Sequence, residues 1–181
     1  LCSVSPKQAV DKAFSKVGPD TIAKILFTSG STGQPKGVIN TQRMLCSNQV
    51  AISQVWLFLK DRAPVTVDWL PWNHTFGGNH NLNMMLCNGG TMYVDGGKPV
   101  PGLIDQTISN LKEFSPTIYY NVPRGFDMLL PYLENDDDLC QSFFGDMDIL
   151  FYAAAALTQN SWERLEMQSK AVIGKRVMMV A

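Results

Sequence analysis

Short apolar runs alternate along this chain with longer segments in which apolar residues recur every three or four positions. The runs are typical of buried strands and lie at residues 24–28, 38–40, 65–70, 91–94, 117–122, 148–152 and 176–180. Strands that are apolar on both faces and alternate with helices indicate a parallel arrangement. The pattern therefore predicts an α/β fold with a mostly parallel sheet covered by helices on both faces.

The helical segments have an apolar stripe on one side. They are predicted over residues 6–17, 44–59, 79–86, 103–114 and 161–173, with one or two more helices between residues 123 and 144. In the first of them, Val10, Ala13, Phe14 and Val17 fall on one face. The glycine- and proline-rich residues 96–102 are predicted to be an exposed connection.

Composition limits the chain to one ordinary domain. It has 181 residues, of which 45% are hydrophobic and 17% charged, and its net charge is −1. This balance excludes a disordered tail and gives no electrostatic sign of a nucleic-acid or membrane-surface partner. No apolar stretch is long enough to span a bilayer. The four cysteines are widely spaced, so we expect reduced thiols and a cytoplasmic protein.

The segment most suggestive of chemistry is the loop TSGSTGQPKG, which follows the first predicted strand. Its glycines allow several backbone N–H groups to face one point, and its hydroxyls and Lys36 add donors and a positive charge suited to phosphate. The spacing differs from a Walker A loop, because Gly37 and not Ser or Thr follows the lysine. A flexible surface loop is the alternative. A position directly after a buried strand favours phosphate binding.

This loop resembles the phosphate-binding signature of the adenylate-forming superfamily, which includes acyl-CoA synthetases, adenylation domains and luciferases. The hydroxyls, glycines, Pro35 and Lys36 all fall in register. In that family the loop holds the β- and γ-phosphates of ATP. The resemblance implies this role for Thr28, Ser29, Gly30, Ser31, Thr32, Gly33 and Lys36.

A second stretch, LPWNHTFGG at residues 70–78, resembles the next motif of the same family. There an aromatic or histidine side chain sits between the nucleotide and the acid. A lone histidine is more often structural, but the motif implies a catalytic role for His74. His80 lacks such a context and is predicted to be structural. Neither histidine has an acidic residue at zinc spacing, so no metal site is predicted on them.

Residues 152–157, YAAAAL, lie where many members have a glycine-rich turn that lines the adenine and acyl pockets. The resemblance implies nucleotide contacts for Ala154 and Ala155, although alanines replace the usual glycines. Arg124 stands where a second proline is common, and we interpret it as a solvated residue at a helix start. The residues in and around these motifs resemble those of feruloyl-CoA synthases most.

The resemblance implies an ATP-dependent acid–CoA ligase that uses ATP, Mg²⁺ and coenzyme A. Its substrate would be an aromatic carboxylic acid such as ferulate, with Trp72, Phe76, Tyr119, Tyr120 and Phe126 as candidate pocket residues. Ordinary core packing is the alternative for each of these side chains. The family's later motifs are missing from residues 1–181. We therefore expect the chain to be a central piece of a larger adenylating domain and to be inactive alone.

Two other hypotheses remain open at this point. One is a non-catalytic module that binds a nucleotide or another anion through the same loop. The other is a structural or interaction domain. If the chain is a piece of a larger domain, apolar faces and sheet edges would be uncovered, and we expect self-association.

Overall fold

A computed structural model of the chain describes residues 8–28 and 33–181. The chain divides into two compact units, one ending at Ala51 and one beginning at Ile52. The described part of the first unit contains three complete elements and most of a fourth. They are α1 (Gln8–Phe14), β1 (Ile22–Thr28), β2 (Lys36–Thr41) and α2 (Gln42–Val55), within which the boundary falls.

Strands β1 and β2 form an antiparallel hairpin in which Thr28 pairs with Lys36. The prediction that β1 is a buried strand is wrong. Among the described residues it pairs only with β2, and its side chains are half-buried or exposed, with Phe27 72% exposed. The apolar stripe of α1 is also exposed, since Phe14 is 76% accessible.

The second unit contains most of the predicted strand and helix alternation. Its elements are a 3₁₀-helix (Leu57–Lys60), β3 (Val65–Asp68), a π-helix (Thr75–Leu82), α3 (Asn83–Cys87), β4 (Thr91–Val94), α4 (Ile104–Glu113), β5 (Ile118–Asn121), α5 (Pro123–Asn135), α6 (Asp137–Gly145), β6 (Ile149–Tyr152), α7 (Gln159–Ile173) and β7 (Met178–Val180).

All strand pairs of this unit are parallel within the described residues. β3 pairs with β4, and β6 lies between β5 and β7. Successive residues of a strand enter different cores: Tyr119 and Leu150 belong to one core, and Ile118 and Ile149 to the other. The first core includes residues of α4 to α7, and the second includes residues of the π-helix and α3. This confirms a parallel α/β arrangement with helices on both faces, to which the antiparallel hairpin is the exception.

Local sequence explains several element ends. The Asp136 carboxylate accepts the Leu139 N–H at the start of α6, and the Thr158 hydroxyl accepts the Ser161 N–H at the start of α7. Helix α7 ends at Gly174, which takes the left-handed conformation with φ 70°. In the two described stretches, every helix is too short or too polar to cross a lipid bilayer.

The connection at residues 96–102 is only partly exposed. Gly97 and Pro99 are buried. The buried Asp95 carboxylate accepts hydrogen bonds from the Gly97 N–H at 2.8 Å, the Thr107 hydroxyl at 2.5 Å and the Asn110 amide at 2.9 Å. These bonds fold the segment onto α4, which the glycine and proline content alone could not predict.

Candidate active site

The described residues of the predicted phosphate loop, among them Thr28, Gly33 and Lys36, lie at one end of the β1–β2 hairpin. Thr28 and Lys36 are directly paired across the two strands, so the loop leaves and re-enters the hairpin at these two positions. Both are exposed, and Gly33 has a φ of 81°, which glycine adopts without strain. The remaining predicted loop residues, Ser29, Gly30, Ser31 and Thr32, lie outside the described residues.

His74 lies at the N-terminus of the π-helix in the second unit. Its Nδ1 accepts the backbone N–H of Phe76 at 3.2 Å. An imidazole nitrogen that accepts a hydrogen bond carries no proton, so in the neutral ring Nε2 carries the hydrogen. The side chain is exposed. His74 therefore offers a hydrogen-bond donor, Nε2–H, from a ring whose orientation is fixed by the helix start.

Two glycines allow the segment around His74 to fold back on itself. A Cβ at Gly77 would overlap the carbonyl oxygens of Leu70 and Pro71, and one at Gly78 would overlap the carbonyl oxygen of Trp72. The predicted helix over residues 79–86 thus begins earlier, at Thr75, and its first part is a π-helix. Helices of this type occur frequently at functional sites.

An aromatic cluster surrounds His80, the histidine for which the sequence predicts a structural role. The imidazole stacks on Phe151, with ring centroids 4.7 Å apart and planes inclined by 28°. Tyr120, Trp56 and Phe76 surround it at centroid distances of 5.5, 6.0 and 6.0 Å. We call these five residues the His80 cluster. Trp56 and Phe151 could not be grouped with His80 from the sequence, because they come from distant segments.

A hydrogen-bonded series runs from His80 to a buried carboxylate. Nδ1 of His80 lies 2.9 Å from Oδ1 of Asn81, and Nδ2 of Asn81 donates to Oδ2 of Asp68 at 2.8 Å. The other Asp68 oxygen accepts the Leu70 N–H at 2.9 Å. Asp68 and Asn81 are 3% and 0% exposed. We call the Asp68–Asn81–His80 series the relay.

Burial dominates the electrostatics of the relay. It raises the pKa of Asp68 to about 6, against the opposing effect of the hydrogen bonds from Asn81 and Leu70, and the nearby Asp95 charge raises it further. Burial also lowers the pKa of His80, which the bond to Asn81 partly offsets. At neutral pH the relay therefore ends in an uncharged imidazole.

The predicted turn after β6 contains a strained residue. Ala154 has a φ of 78°, and it is the one non-glycine residue with a positive φ among those described. Alanine in the left-handed region costs about 1 kcal/mol relative to glycine. Ala154 and Ala155 are both exposed. Such strain is retained mostly where the surrounding structure or function requires it.

The candidate acid-pocket aromatics separate into different environments. Tyr119 and Phe126 pack against each other in the core that contains α4 to α7. Phe76 and Tyr120 belong to the His80 cluster, and Trp72 is half-exposed. Tyr119 and Phe126 are thus residues of the first core, whereas Phe76 and Tyr120 are buried in the second core, where they lie against His80.

The predicted residues are divided between the units. Thr28, Gly33 and Lys36 belong to the first unit, and His74, Ala154 and Ala155 to the second. Within residues 8–28 and 33–181, no group of three histidine, cysteine, aspartate or glutamate side chains could hold a metal ion.

Comparisons with known proteins identify the family of this chain. The AMP-binding enzyme family matches residues 3–175. A carboxylic acid reductase from Mycobacterium marinum is 30% identical over 122 residues, covering 67% of this chain and 10% of that protein. Long-chain-fatty-acid–CoA ligase 5 from Rattus norvegicus is 28% identical over 120 residues, or 65% of this chain and 17% of the ligase.

Solved structures give the same fold. A malonyl-CoA ligase with methylmalonyl-CoA and AMP bound superposes with a TM-score of 0.71 at 24% identity, covering 91% of this chain and 33% of that one. ATP-bound MatB from Rhodopseudomonas palustris gives 0.64 at 25% identity, with 91% and 30% covered. The chain thus spans about a tenth to a third of the length of these proteins.

Proposed function

The chain belongs to the AMP-binding enzyme family, and we propose that it is a central piece of the adenylating domain of an ATP-dependent acid–CoA ligase. In the proposed reaction a carboxylate oxygen of the acid attacks the α-phosphate of ATP. Pyrophosphate leaves, and an acyl-adenylate forms. The thiol of coenzyme A then attacks the acyl carbon and displaces AMP, giving the thioester.

The observation that carries this proposal is the loop closed by Thr28 and Lys36, inside a stretch that the family matches almost from end to end. We propose that the hydroxyls and N–H groups of residues 28–33 bind the β- and γ-phosphates. The Lys36 ammonium would offset the charge of the leaving pyrophosphate. Ala154 and Ala155 would contact the nucleotide from the turn after β6.

Mg²⁺ is a further expected cofactor. When bound to ATP it supplies positive charge to the phosphate oxygens. The described residues contain no cluster of ligands that fits a metal ion, so we assign none of its ligands to them. The proposed roles of this chain are therefore those of binding and orienting the phosphates and the acid.

We propose that His74 contacts the substrate carboxylate. Because its Nδ1 accepts the Phe76 N–H, its Nε2–H is a donor available to a carboxylate oxygen. One donor held in a fixed direction would orient the attacking oxygen toward the α-phosphate. This role requires the neutral ring, because Nδ1 of a charged ring would carry a hydrogen and could not accept the Phe76 N–H.

The proposed acid is aromatic, ferulate or a related hydroxycinnamate. The His80 cluster supports this choice, because its aromatic side chains suit the flat ring of such an acid. The resemblance of the motif residues to feruloyl-CoA synthases, taken from the sequence alone, points the same way. Two of the proteins named above are, by their names, a long-chain-fatty-acid–CoA ligase and a malonyl-CoA ligase, so the choice of an aromatic acid depends on the cluster and on that resemblance.

We also propose a cytoplasmic location. The three described cysteines, Cys46, Cys87 and Cys140, are free thiols, as expected in a reducing compartment. Fractionation of cells that express the whole protein tests this location. Recovery of the protein with the membranes or outside the cell would contradict it.

The test is ATP–pyrophosphate exchange by the whole protein that contains this chain, assayed with ferulate, 4-hydroxycinnamate, a fatty acid and malonate. We expect exchange with the aromatic acids and none from the 181-residue chain alone. Lys36→Ala should lower exchange by about 100-fold, as loss of one transition-state donor does in other enzymes. Lys16→Ala, an exposed lysine of the same unit, is the control.

Three outcomes would change the proposal. Exchange with malonate or the fatty acid alone would overturn the aromatic substrate and leave the ligase. Nucleotide binding without exchange for any acid would favour the non-catalytic module. Full exchange by the isolated chain would overturn the need for further segments.

A further inference from the structure

His80 has one nitrogen that is bound and one that is available. Nδ1 is bonded to Asn81, whereas no described residue forms a hydrogen bond with Nε2. The ring is half-buried and part of it remains accessible. Its stacking on Phe151 and its edge contact with Tyr120 hold it in one plane. Nε2 is thus a polar atom in an aromatic setting without a partner in the described chain.

The relay determines the chemical character of that nitrogen. A carboxylate only accepts hydrogen bonds, so the Asn81 group that faces Asp68 must be its NH₂. The Asn81 oxygen then faces His80 and must accept from it. Nδ1 therefore carries the hydrogen, and Nε2 of the neutral ring is an acceptor.

This arrangement is expensive for the fold. It buries a carboxylate and an amide almost completely. Two of its residues, His80 and Asn81, lie on a π-helix, which is a rare type of helix. An apolar pair at positions 68 and 81 would avoid the desolvation of both groups. The cost is explained if the relay serves to present Nε2 as an acceptor.

We propose that His80 is a specificity-determining residue of the acid site, where its Nε2 accepts a hydrogen bond from a hydroxyl group on the ring of an aromatic acid. Asn81 and Asp68 are positioning residues that set the His80 tautomer. The inference rests on the proposed function, because it assigns the polar contact of the same acid.

The proposal predicts a preference between two substrates of similar shape. A ring hydroxyl donates to Nε2, whereas a methoxy group has no hydrogen to donate. A site that accepts from a hydroxyl leaves its own buried acceptor unpaired with the methoxy analogue. We expect 4-hydroxycinnamate to be favoured over 4-methoxycinnamate by at least about 10-fold in kcat/KM.

Asp68→Asn should reverse the relay without changing its shape. The oxygen of the introduced amide would keep the Leu70 N–H, so the introduced NH₂ would face Asn81. The Asn81 amide must then rotate to accept from it, and its own NH₂ would face His80 Nδ1. The imidazole hydrogen moves to Nε2, which becomes a donor. This variant should lose the hydroxyl preference and accept the methoxy oxygen instead.

The tautomer is measurable on the chain itself by ¹⁵N-labelled histidine NMR. In the wild type His80 should be protonated at Nδ1, with its pKa below the ordinary value. In Asp68→Asn it should be protonated at Nε2. His74 is the internal reference, because it should be protonated at Nε2 in both proteins. An Nε2-protonated His80 in the wild type would overturn the relay.

The substrate preference is measured by exchange in the whole protein. His80→Phe keeps a stacking ring and should lose the preference, while His80→Gln restores an acceptor near the ε position and should recover part of it. If the enzyme activates aromatic acids but Asp68→Asn and His80→Phe keep the wild-type hydroxyl-to-methoxy ratio, the inference fails and the proposed function stands. If no acid supports exchange while NMR shows the predicted tautomers, the proposed function fails and the relay stands.

Discussion

The Asp68 carboxylate is ionised at neutral pH at a cost to stability. Its pKa rises from 3.8 to about 6 on burial, so the folded chain binds this proton more tightly than the unfolded chain does. The free energy of unfolding should therefore fall as pH rises from about 4 to about 6. The loss from this group is on the order of 2–3 kcal/mol.

Asp68→Asn removes that charge and can keep the hydrogen bonds of the relay. We expect the variant to be more stable than the wild type at pH 7 by about 2 kcal/mol and no more stable at about pH 4. Urea denaturation at both pH values measures this. Protonation of the buried His80 lowers the stability of both proteins in acid, and more so in the variant, where the Asn81 NH₂ faces Nδ1, so at about pH 4 this effect cannot make the variant the more stable protein. Asp61→Asn, at an exposed site, should show no such difference, and an equal gain at both pH values would contradict the argument.

Ala154 offers a second prediction at the residue scale. Its φ of 78° suits glycine, so Ala154→Gly should raise the free energy of unfolding by about 1 kcal/mol. Ala156→Gly is the matched control in the same turn, where φ is not positive, and should lower stability by about 0.4–1 kcal/mol. Urea midpoints of the two variants should move in opposite directions. If both fall, the backbone at Ala154 is unstrained.

At the scale of the element, the π-helix depends on the absence of side chains at its start. A Cβ at Gly78 would overlap the Trp72 carbonyl oxygen, a backbone atom that cannot move alone. We expect Gly78→Ala to destabilise the second unit by more than about 3 kcal/mol. Gly89→Ala is the control, because its φ of 63° is unfavourable but its surroundings are open, and it should cost about 1 kcal/mol.

Thermal unfolding followed by circular dichroism measures both glycine variants. Equal costs for Gly78→Ala and Gly89→Ala would mean that the backbone around Trp72 shifts to accommodate the added Cβ, since Gly78 has no positive φ. In Gly78→Ala the hydrogen bond from the Phe76 N–H to His74 Nδ1 should be lost when the second unit unfolds. A shift of the Phe76 amide resonance would report this loss.

Element types could be predicted where the apolar period was clear. β4 coincides with residues 91–94 as predicted, and α4 and β5 differ from prediction only at their ends. The π-helix could not be anticipated, because its i→i+5 bonds depend on Gly77 and Gly78 packing against the preceding loop. The His80 cluster was missed for a related reason, since its other members come from separate segments of the chain, at Trp56, Phe76, Tyr120 and Phe151.

For the candidate site, the sequence predicted motifs and the structure adds their geometry. The loop was correctly placed after a strand, but the argument from a buried parallel strand does not hold for the exposed hairpin. The role of the loop residues, of His74 and of Ala154 and Ala155 stays a prediction. The relay could not be predicted from the sequence, because Asp68 and Asn81 are 13 positions apart and no motif indicates that their side chains form a hydrogen bond.

At the scale of the whole molecule, the hairpin carries an uncovered apolar face. Ile25 and Ile39 are directly paired across β1 and β2, and Phe27 follows two positions along the same face. Their exposed fractions are 49%, 50% and 72%. An exposed apolar face on a two-stranded edge is a site for association with other chains.

We therefore expect the 181-residue chain to self-associate, with an average mass in sedimentation that rises with concentration. The double variant Phe27→Lys with Ile39→Lys should remain monomeric at concentrations where the wild type does not, because two charges on this face resist desolvation. Leu86→Lys is the control: Leu86 is 72% exposed on α3, in the second unit, and the substitution should leave association unchanged. A monomeric wild type would contradict the prediction, and equal association of wild type and double variant would show that another surface is responsible.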